Sequence, residues 1–162
     1  MPAVPDAPPP VRRATAADAP LIAPLFDAYR RFYDQPSDLA RAERYLRERL
    51  ERGESVVFVA HAGDDGAAHA LGFVQLYPLF SSIGMQRIWV LNDLFVDVHA
   101  RGRGVALALL DAARDHATST GASRIVLSTA PSNHPARALY ERLGYRASEG
   151  FMEYVLELPS TG

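Results

Sequence analysis

The segment Arg101-Gly102-Arg103-Gly104-Val105-Ala106 carries the residues best suited to bind an anion. Its two glycines allow a positive φ and let a ligand approach the backbone closely. The apolar stretch that follows predicts a helix, and the first amides of a helix, here down to Leu107, have no acceptor within it. These amides, the helix dipole and the two arginines together predict a pyrophosphate site.

Two better-known phosphate motifs do not fit this segment. The chain has no lysine, which a Walker A loop requires, and Leu107 occupies the third glycine position of a G-x-G-x-x-G motif. The structural alternative is a tight turn with two solvated arginines.

Asp93 is the acidic residue that stands out inside an apolar segment, residues 87–97. Strand alternation is expected to send Asn92 and Asp93 to opposite faces of a sheet. A buried carboxylate needs a partner or a task, and accepting a proton is one such task. The alternative is an internal hydrogen bond to a loop or to the following helix.

The elements that must position these residues follow from the change of hydrophobic period along the chain. Helices are predicted at 20–33, 39–52, 104–119 and 136–143. Strands are predicted at 11–15, 56–61, 70–78, 87–97 and 124–129, with closing strands at 145–146 and 150–158. Hairpins in the first half and strand–helix–strand units in the second predict an α/β fold with a mixed sheet and helices on both faces.

Composition limits the function classes. The chain has 162 residues, 48% of them apolar, and a net charge of −2, which predicts one domain at residues 11–160 after a flexible proline-rich tail at 1–10. Without a basic excess, neither nucleic acid nor an acidic membrane is an expected partner. There is no cysteine, the histidines lack metal-ligand spacing, and no secretory signal is evident, so we expect no metal site and a cytoplasmic location.

Arg101-x-x-Gly104-x-Ala106 resembles the [QR]-x-x-G-x-[GA] signature of the GNAT N-acetyltransferases, and the strand Leu91-Asn92-Asp93-Leu94-Phe95-Val96-Asp97 looks like that family's fourth strand. The resemblance covers residues 11–158. It implies a GNAT fold with a mixed sheet of six to seven strands flanked by about four helices, and acetyl-CoA as the acyl donor. It also implies a homodimer. Within the family, the chain looks closest to the polyamine, small-amine and histone-acetyltransferase-like members.

The resemblance assigns further residues to the acyl donor. In that family the anion-binding turn holds the pyrophosphate of acetyl-CoA, so Arg101 to Leu107 would do so here. Leu94, Phe95 and Val96 would present backbone groups to the pantetheine arm where the fourth and fifth strands splay apart. Ser128 would lie across that opening, and Asn133 resembles an asparagine that contacts the cofactor. The alternative for Asn133 is a helix cap.

Catalysis also has candidates. Asn133-His-Pro-Ala-Arg-Ala-Leu-Tyr140 is similar to the family's N-x-x-A-x-x-L-Y helix with one extra residue. There the tyrosine stands beside the CoA sulfur, and a phenol can protonate a thiolate. The polyamine enzymes have a glutamate–aspartate pair where this chain has Asn92 and Asp93, so Asp93 is the candidate base of that pair, and a water chain or no base at all are the alternatives. The alternative for Tyr140 is an amphipathic core residue.

The acceptor site is expected from the first two helices and the loop between them, together with the sheet. The candidate residues there are Asp27, Tyr29, Tyr33 and Asn92. Acidic and aromatic groups suit a cationic amine, and we therefore expect transfer to a polyamine or an amino-acid-like amine. A protein lysine or N-terminal acetyltransferase and a non-catalytic acyl-CoA-binding module remain as alternatives.

Overall fold

The structure is a computed structural model that describes residues 7–63 and 69–160. Its strands are β1 (Val11–Arg13), β2 (Val56–Ala62), β3 (His69–Ser81), β4 (Gln86–Val96) and β5 (Ile125–Val126). Its helices are α1 (Ala19–Phe32), α2 (Leu39–Glu51), α3 (Val105–Ser119) and α4 (His134–Arg142). The chain forms two compact units, one running to Leu127 and the other beginning at Ser128.

The first unit is built on a sheet with the strand order β1-β2-β3-β4-β5. The first four strands pair antiparallel, and β4 pairs with β5 in parallel. The connection from β4 to β5 passes through α3, as a parallel pair requires. The mixed α/β class predicted from the sequence is confirmed.

The predicted strand count is wrong for the described residues, where the sheet has five strands rather than six or seven. β5 ends at Val126 instead of 129, and residues 145–146 and 150–158 contain no strand. These residues have the composition of strands, but a strand forms only where a neighbouring edge accepts its backbone hydrogen bonds. The second unit contains α4 and offers no such edge among its described residues.

Helices cover both faces of the sheet in the first unit. Phe73 belongs to a core with Ile22 and Phe26 of α1 and Leu46 of α2. The neighbouring residue Gly72 points the other way, where an added Cβ would lie 3.0 Å from Val105 and 3.2 Å from Leu109 of α3. The alternation of β3 therefore separates an α1/α2 face from an α3 face.

Local signals explain where the helices begin. The Asp38 side chain accepts a hydrogen bond from the Arg41 amide at 3.0 Å and caps α2, as predicted. Thr15 and Asp18 form a capping box in the turn before α1. All four predicted helices are present, with ends within two residues of the prediction.

Candidate active site

The turn between β4 and α3, residues 101–107, is called the anion turn below. Gly102 and Gly104 have φ of +74° and +76°, the left-handed region that glycine adopts readily. No atom lies within 4 Å of where a Cβ would stand on either residue, so the backbone is accessible from outside. The Gly104 carbonyl accepts the Ala108 amide at 3.0 Å, so the amides before Ala108 have no acceptor within the helix. This geometry fits an anion.

The two arginines of the anion turn differ in their surroundings. Arg101 Nε donates to the Val96 carbonyl at 3.3 Å, and its guanidinium lies over the Phe95 ring, 5.8 Å from the centroid. Arg103 is exposed beside it. Arg101 therefore ties the turn to the end of β4.

One edge of β4 has no strand partner beyond its pairing with β5. That pairing consists of Trp89 with Ile125 and Val90 with Val126, whereas β4 continues to Val96. In the described part of the chain no strand covers this edge from Leu91 onward. The opening lies where the strands were predicted to splay apart.

Alternation decides which backbone groups face the open edge. The Asp97 amide donates to the Leu71 carbonyl of β3 at 2.8 Å, so Leu94 and Val96 direct their backbone groups away from β3. Phe95 is paired with Phe73, and its backbone faces β3. Leu94 and Val96 therefore face the side without a strand partner, whereas Phe95 faces β3 and supplies the ring under Arg101. The backbone contacts of all three residues to the donor stay predictions.

Asp93 is buried, with 4% of its surface exposed. We call Asp93 and its neighbours Gln75, Asn92 and Tyr29 the acid cluster. Gln75 Nε2 donates to Asp93 Oδ2 at 2.7 Å, and Asn92 Nδ2 donates to Oδ1 at 3.1 Å. The Tyr29 hydroxyl donates to the Asn92 carbonyl oxygen at 3.3 Å and also interacts with the Asp93 carboxylate. Burial raises the pKa of Asp93, although the hydrogen bonds from Gln75, Tyr29 and Asn92 oppose the rise.

A β-bulge brings Asn92 into this cluster. Gln75 is opposite Asp93 and Leu76 is opposite Leu91, so Asn92 is the extra residue on β4. Asn92 is exposed and Asp93 is buried, as alternation predicted. Their side chains nevertheless meet, because the bulge breaks the regular alternation at this point.

Aromatic residues line the same face. The Tyr29 ring lies 5.1 Å from Tyr33 and 6.3 Å from Phe95. The hydroxyls of Tyr45 in α2 and Tyr77 in β3 are 2.8 Å apart. Burial, the hydrogen bond with Tyr45 and the charge of Asp93 all raise the pKa of Tyr77. The face therefore combines one buried carboxylate with several ring surfaces.

Asp27, a predicted substrate residue, already has partners within the protein. It is buried, and its carboxylate accepts from the Ser37 hydroxyl at 2.7 Å and from the Asp38 amide at 2.8 Å. Burial alone would raise the pKa of Asp27, but these hydrogen bonds and the nearby Arg31 lower it overall. The geometry makes Asp27 the anchor of the loop between α1 and α2.

The second unit holds the remaining predicted residues. The Asn133 side chain accepts from the Ala136 amide at 3.4 Å and caps α4, which matches the alternative reading of that residue. Tyr140 is partly buried, with its ring 5.6 Å from that of Tyr145. Ser128 is exposed at the start of the unit. Their contacts with an acyl donor stay predictions.

Sequence reasoning missed Gln75, Tyr45 and Tyr77. The available signal was a glutamine and a tyrosine two residues apart in the apolar stretch from Phe73 to Tyr77, which places both on one face. Within residues 7–63 and 69–160, no group of three or more histidine, aspartate or glutamate side chains could hold a metal ion. In the same part of the chain, every helix is too short or too polar to cross a membrane.

Comparison with known proteins matches residues 22–145 to the acetyltransferase (GNAT) family. YhfO of Bacillus subtilis (strain 168), an uncharacterized N-acetyltransferase, is 48% identical over 150 residues, covering 93% of this chain and 98% of that protein. A crystal structure of a probable acetyltransferase has a TM-score of 0.86 and 39% identity, covering 93% of this chain and 99% of that one. The ribosomal-protein-alanine N-acetyltransferase from Brucella melitensis biovar Abortus 2308 has a TM-score of 0.72 and 26% identity, covering 92% and 99%.

Proposed function

The chain belongs to the GNAT acetyltransferase family, and we propose that it transfers an acetyl group from acetyl-CoA to the primary amine of a small polyamine or amino-acid-like molecule. The chain is an acyltransferase, so the non-catalytic module considered above is set aside. The observation that carries the proposal is the acid cluster. It places a buried carboxylate with a raised pKa beside tyrosine rings, on the strand whose edge is open.

The donor half of the proposal rests on the anion turn. The free amides at the start of α3 and the charges of Arg101 and Arg103 suit the pyrophosphate of acetyl-CoA. The Leu94 backbone groups and the Val96 amide suit the amide-bearing arm, because an extended chain can pair with a strand edge that has no strand partner. The Val96 carbonyl already accepts from Arg101. When bound, acetyl-CoA supplies an activated thioester.

The acceptor half depends on deprotonation. An amine of pKa about 10 is protonated at neutral pH, and removing the proton costs about 4 kcal/mol. Asp93 first pairs with the ammonium group and then accepts its proton. Burial favours the protonated carboxyl, so it makes Asp93 a stronger base than an exposed aspartate. The Tyr29 ring contributes a face on which a cation can rest.

The reaction forms a C–N bond and breaks a C–S bond, so the departing sulfur needs a proton. We assign that proton to the Tyr140 hydroxyl. The nitrogen that has formed the C–N bond releases its surplus proton to solvent as the amide forms, and the Tyr140 phenolate regains a proton from solvent. Replacing Tyr140 with phenylalanine is expected to lower kcat while acetyl-CoA still binds. Unchanged kcat in this variant would contradict the assignment.

The deciding experiment measures thiol release from acetyl-CoA with a panel of polyamines, amino acids and lysine-containing peptides. We expect turnover with small amines, and loss of that turnover in Asp93→Asn with acetyl-CoA affinity retained. Absence of turnover on every small amine would overturn the proposed acceptor class.

A protein acceptor is the second candidate, because the Brucella structure at 26% identity is a ribosomal-protein-alanine N-acetyltransferase. Turnover restricted to peptides with a free N-terminus in the same panel would support it. We also propose a homodimer, as the family resemblance implies. Light scattering coupled to gel filtration tests this, and a single 17.7 kDa species would contradict it.

A further inference from the structure

Gln75 is a fully buried polar residue in the middle of β3, with none of its surface exposed. It stands directly opposite Asp93 in the antiparallel ladder, and Nε2 donates to Asp93 Oδ2 at 2.7 Å. Its neighbours Val74 and Leu76 are also fully buried, but they lie on the α3 face. Gln75 therefore reaches Asp93 from inside the protein.

The other end of the Gln75 amide is unsatisfied. Among the described residues, no hydrogen-bond donor reaches its Oε1 atom, which is buried. A buried amide oxygen without a donor is costly, and an apolar side chain of similar length would avoid that cost. The hydrogen bond to Asp93 is the contact that an apolar side chain at this position could not make.

The two oxygens of Asp93 are held differently. Oδ2 accepts from Gln75, which is fully buried, whereas Oδ1 accepts from Asn92, which is exposed at the bulge. If the Gln75 amide turned away from Oδ2, its Nε2 would become a second buried polar group without a partner, in addition to Oε1. The outer amide can exchange its contact for water or for a ligand.

We propose that Gln75 is a positioning residue that fixes Oδ2 of Asp93, so that Oδ1 is presented to the acceptor amine as Asn92 moves aside. This inference rests on the proposed function of Asp93 as the base. The amine approaches Oδ1 and transfers its proton there, while Gln75 keeps the carboxylate plane from turning.

Other titratable and charged groups near Asp93 must be kept constant in any test. Tyr29 of α1 bonds to it, and Tyr77 of β3 interacts with its charge. Behind Tyr77 lie Tyr45 and Arg49 of α2, with the Arg49 guanidinium 5.0 Å from the centre of the Tyr45 ring. None of these residues is altered in the variants of this test.

The test compares Gln75→Met, which keeps the length and removes the amide, with Leu76→Met as a control on the other face. The carboxyl signal of Asp93 is followed by carbon-13 NMR titration without substrates and is assigned with Asp93→Asn. Since the Gln75 hydrogen bond lowers the pKa of Asp93, its removal moves the titration to higher pH. The acidic limb of kcat/KM moves in the same direction, and kcat falls about tenfold, on the scale of one hydrogen bond to a charged group.

Gln75→Glu extends the series. Two carboxyl groups at this spacing cannot both ionise, so the titration of Asp93 moves further up than in Gln75→Met. Asn92→Ala, by contrast, is expected to change KM more than kcat, because Asn92 holds the oxygen that the amine approaches. Circular dichroism and thermal unfolding establish that each variant is folded.

The outcomes separate the inference from the proposed function. An Asp93 titration unchanged by Gln75→Met, in an enzyme that Asp93→Asn inactivates, overturns the positioning role alone. If the titration moves but kcat and its pH profile do not, the proposed role of Asp93 fails and the inference fails with it. If Gln75→Met moves the Asp93 titration and changes kcat with its pH profile, and Leu76→Met changes neither, the result supports the positioning role of Gln75 and the proposed role of Asp93.

Discussion

The anion turn follows the end of β4 and the acid cluster is centred on Asp93 within β4, but the two regions are built from different chemical groups. The anion turn presents backbone amides, and its conformation depends on Gly102 and Gly104 having no side chain. The acid cluster presents side chains from α1, β3 and β4, all centred on Asp93. A backbone site tolerates change in most side chains, whereas a side-chain site depends on each of its members.

Asp93→Asn is expected to have the largest effect, because it removes the proposed base and keeps the shape of the side chain. We expect kcat to fall by about 10²–10⁴-fold, the usual contribution of a general base. The dissociation constant of acetyl-CoA, measured by calorimetry, should stay within about twofold, since the anion turn is untouched. A comparable loss of donor affinity would break the division between the two regions.

Gly104→Ala is expected to have the converse effect. Its φ of +76° costs an alanine about 1–2 kcal/mol, and relaxing that strain turns the free amides away from their common direction. We expect acetyl-CoA to bind about tenfold more weakly, with kcat at saturating donor nearly unchanged.

The matched control for this variant is Gly121→Ala at the other end of α3, where φ is +70°. It imposes the same backbone strain away from the anion turn. Both variants should lose similar thermal stability, but only Gly104→Ala should lose donor affinity. Equal losses of affinity would show that strain in α3, and not the turn, controls binding.

The two regions also differ in how far the sequence predicted them. The anion turn is contiguous, so its glycines, arginines and helix start could be found within one short segment. Gln75 and Asp93 are 18 positions apart in the sequence, and their contact depends on the register of β3 against β4. The bulge at Asn92 shifts that register, and nothing in the local sequence specifies it.

Errors in the predicted fold have a similar cause. The helices were predicted closely because capping residues and a repeat of about four residues are local signals. The closing strands at 145–146 and 150–158 were predicted from composition, but strand formation depends on a partner edge elsewhere in the chain. The bonds of Asp27 to Ser37 and Asp38 were not predicted either, because they form only when the loop between α1 and α2 folds back.

Tyr45→Phe is expected to have a smaller effect than either variant above. It removes one of the two hydroxyls that meet at 2.8 Å but keeps the ring that faces the core. We expect kcat/KM for the amine to fall about two- to threefold, the scale of one weak hydrogen bond. A double-mutant cycle with Tyr77→Phe measures the coupling, and additive effects would show that the hydroxyl pair does not shape the site.

Asp27→Asn is expected to leave catalysis unchanged and to affect only stability, although Asp27 is almost as buried as Asp93. Since hydrogen bonds lower its folded pKa below the unfolded value of about 3.9, its contribution is fully present above that pH and is lost as the pH falls through the folded pKa. We expect the free energy of unfolding of the variant to be about 1–2 kcal/mol lower than that of the wild type at neutral pH, and this difference to become smaller below about pH 4. Chemical denaturation at several pH values measures this gap. A fall in kcat like that of Asp93→Asn would mean that Asp27 also serves the reaction, and that the acid cluster reaches into the loop between α1 and α2.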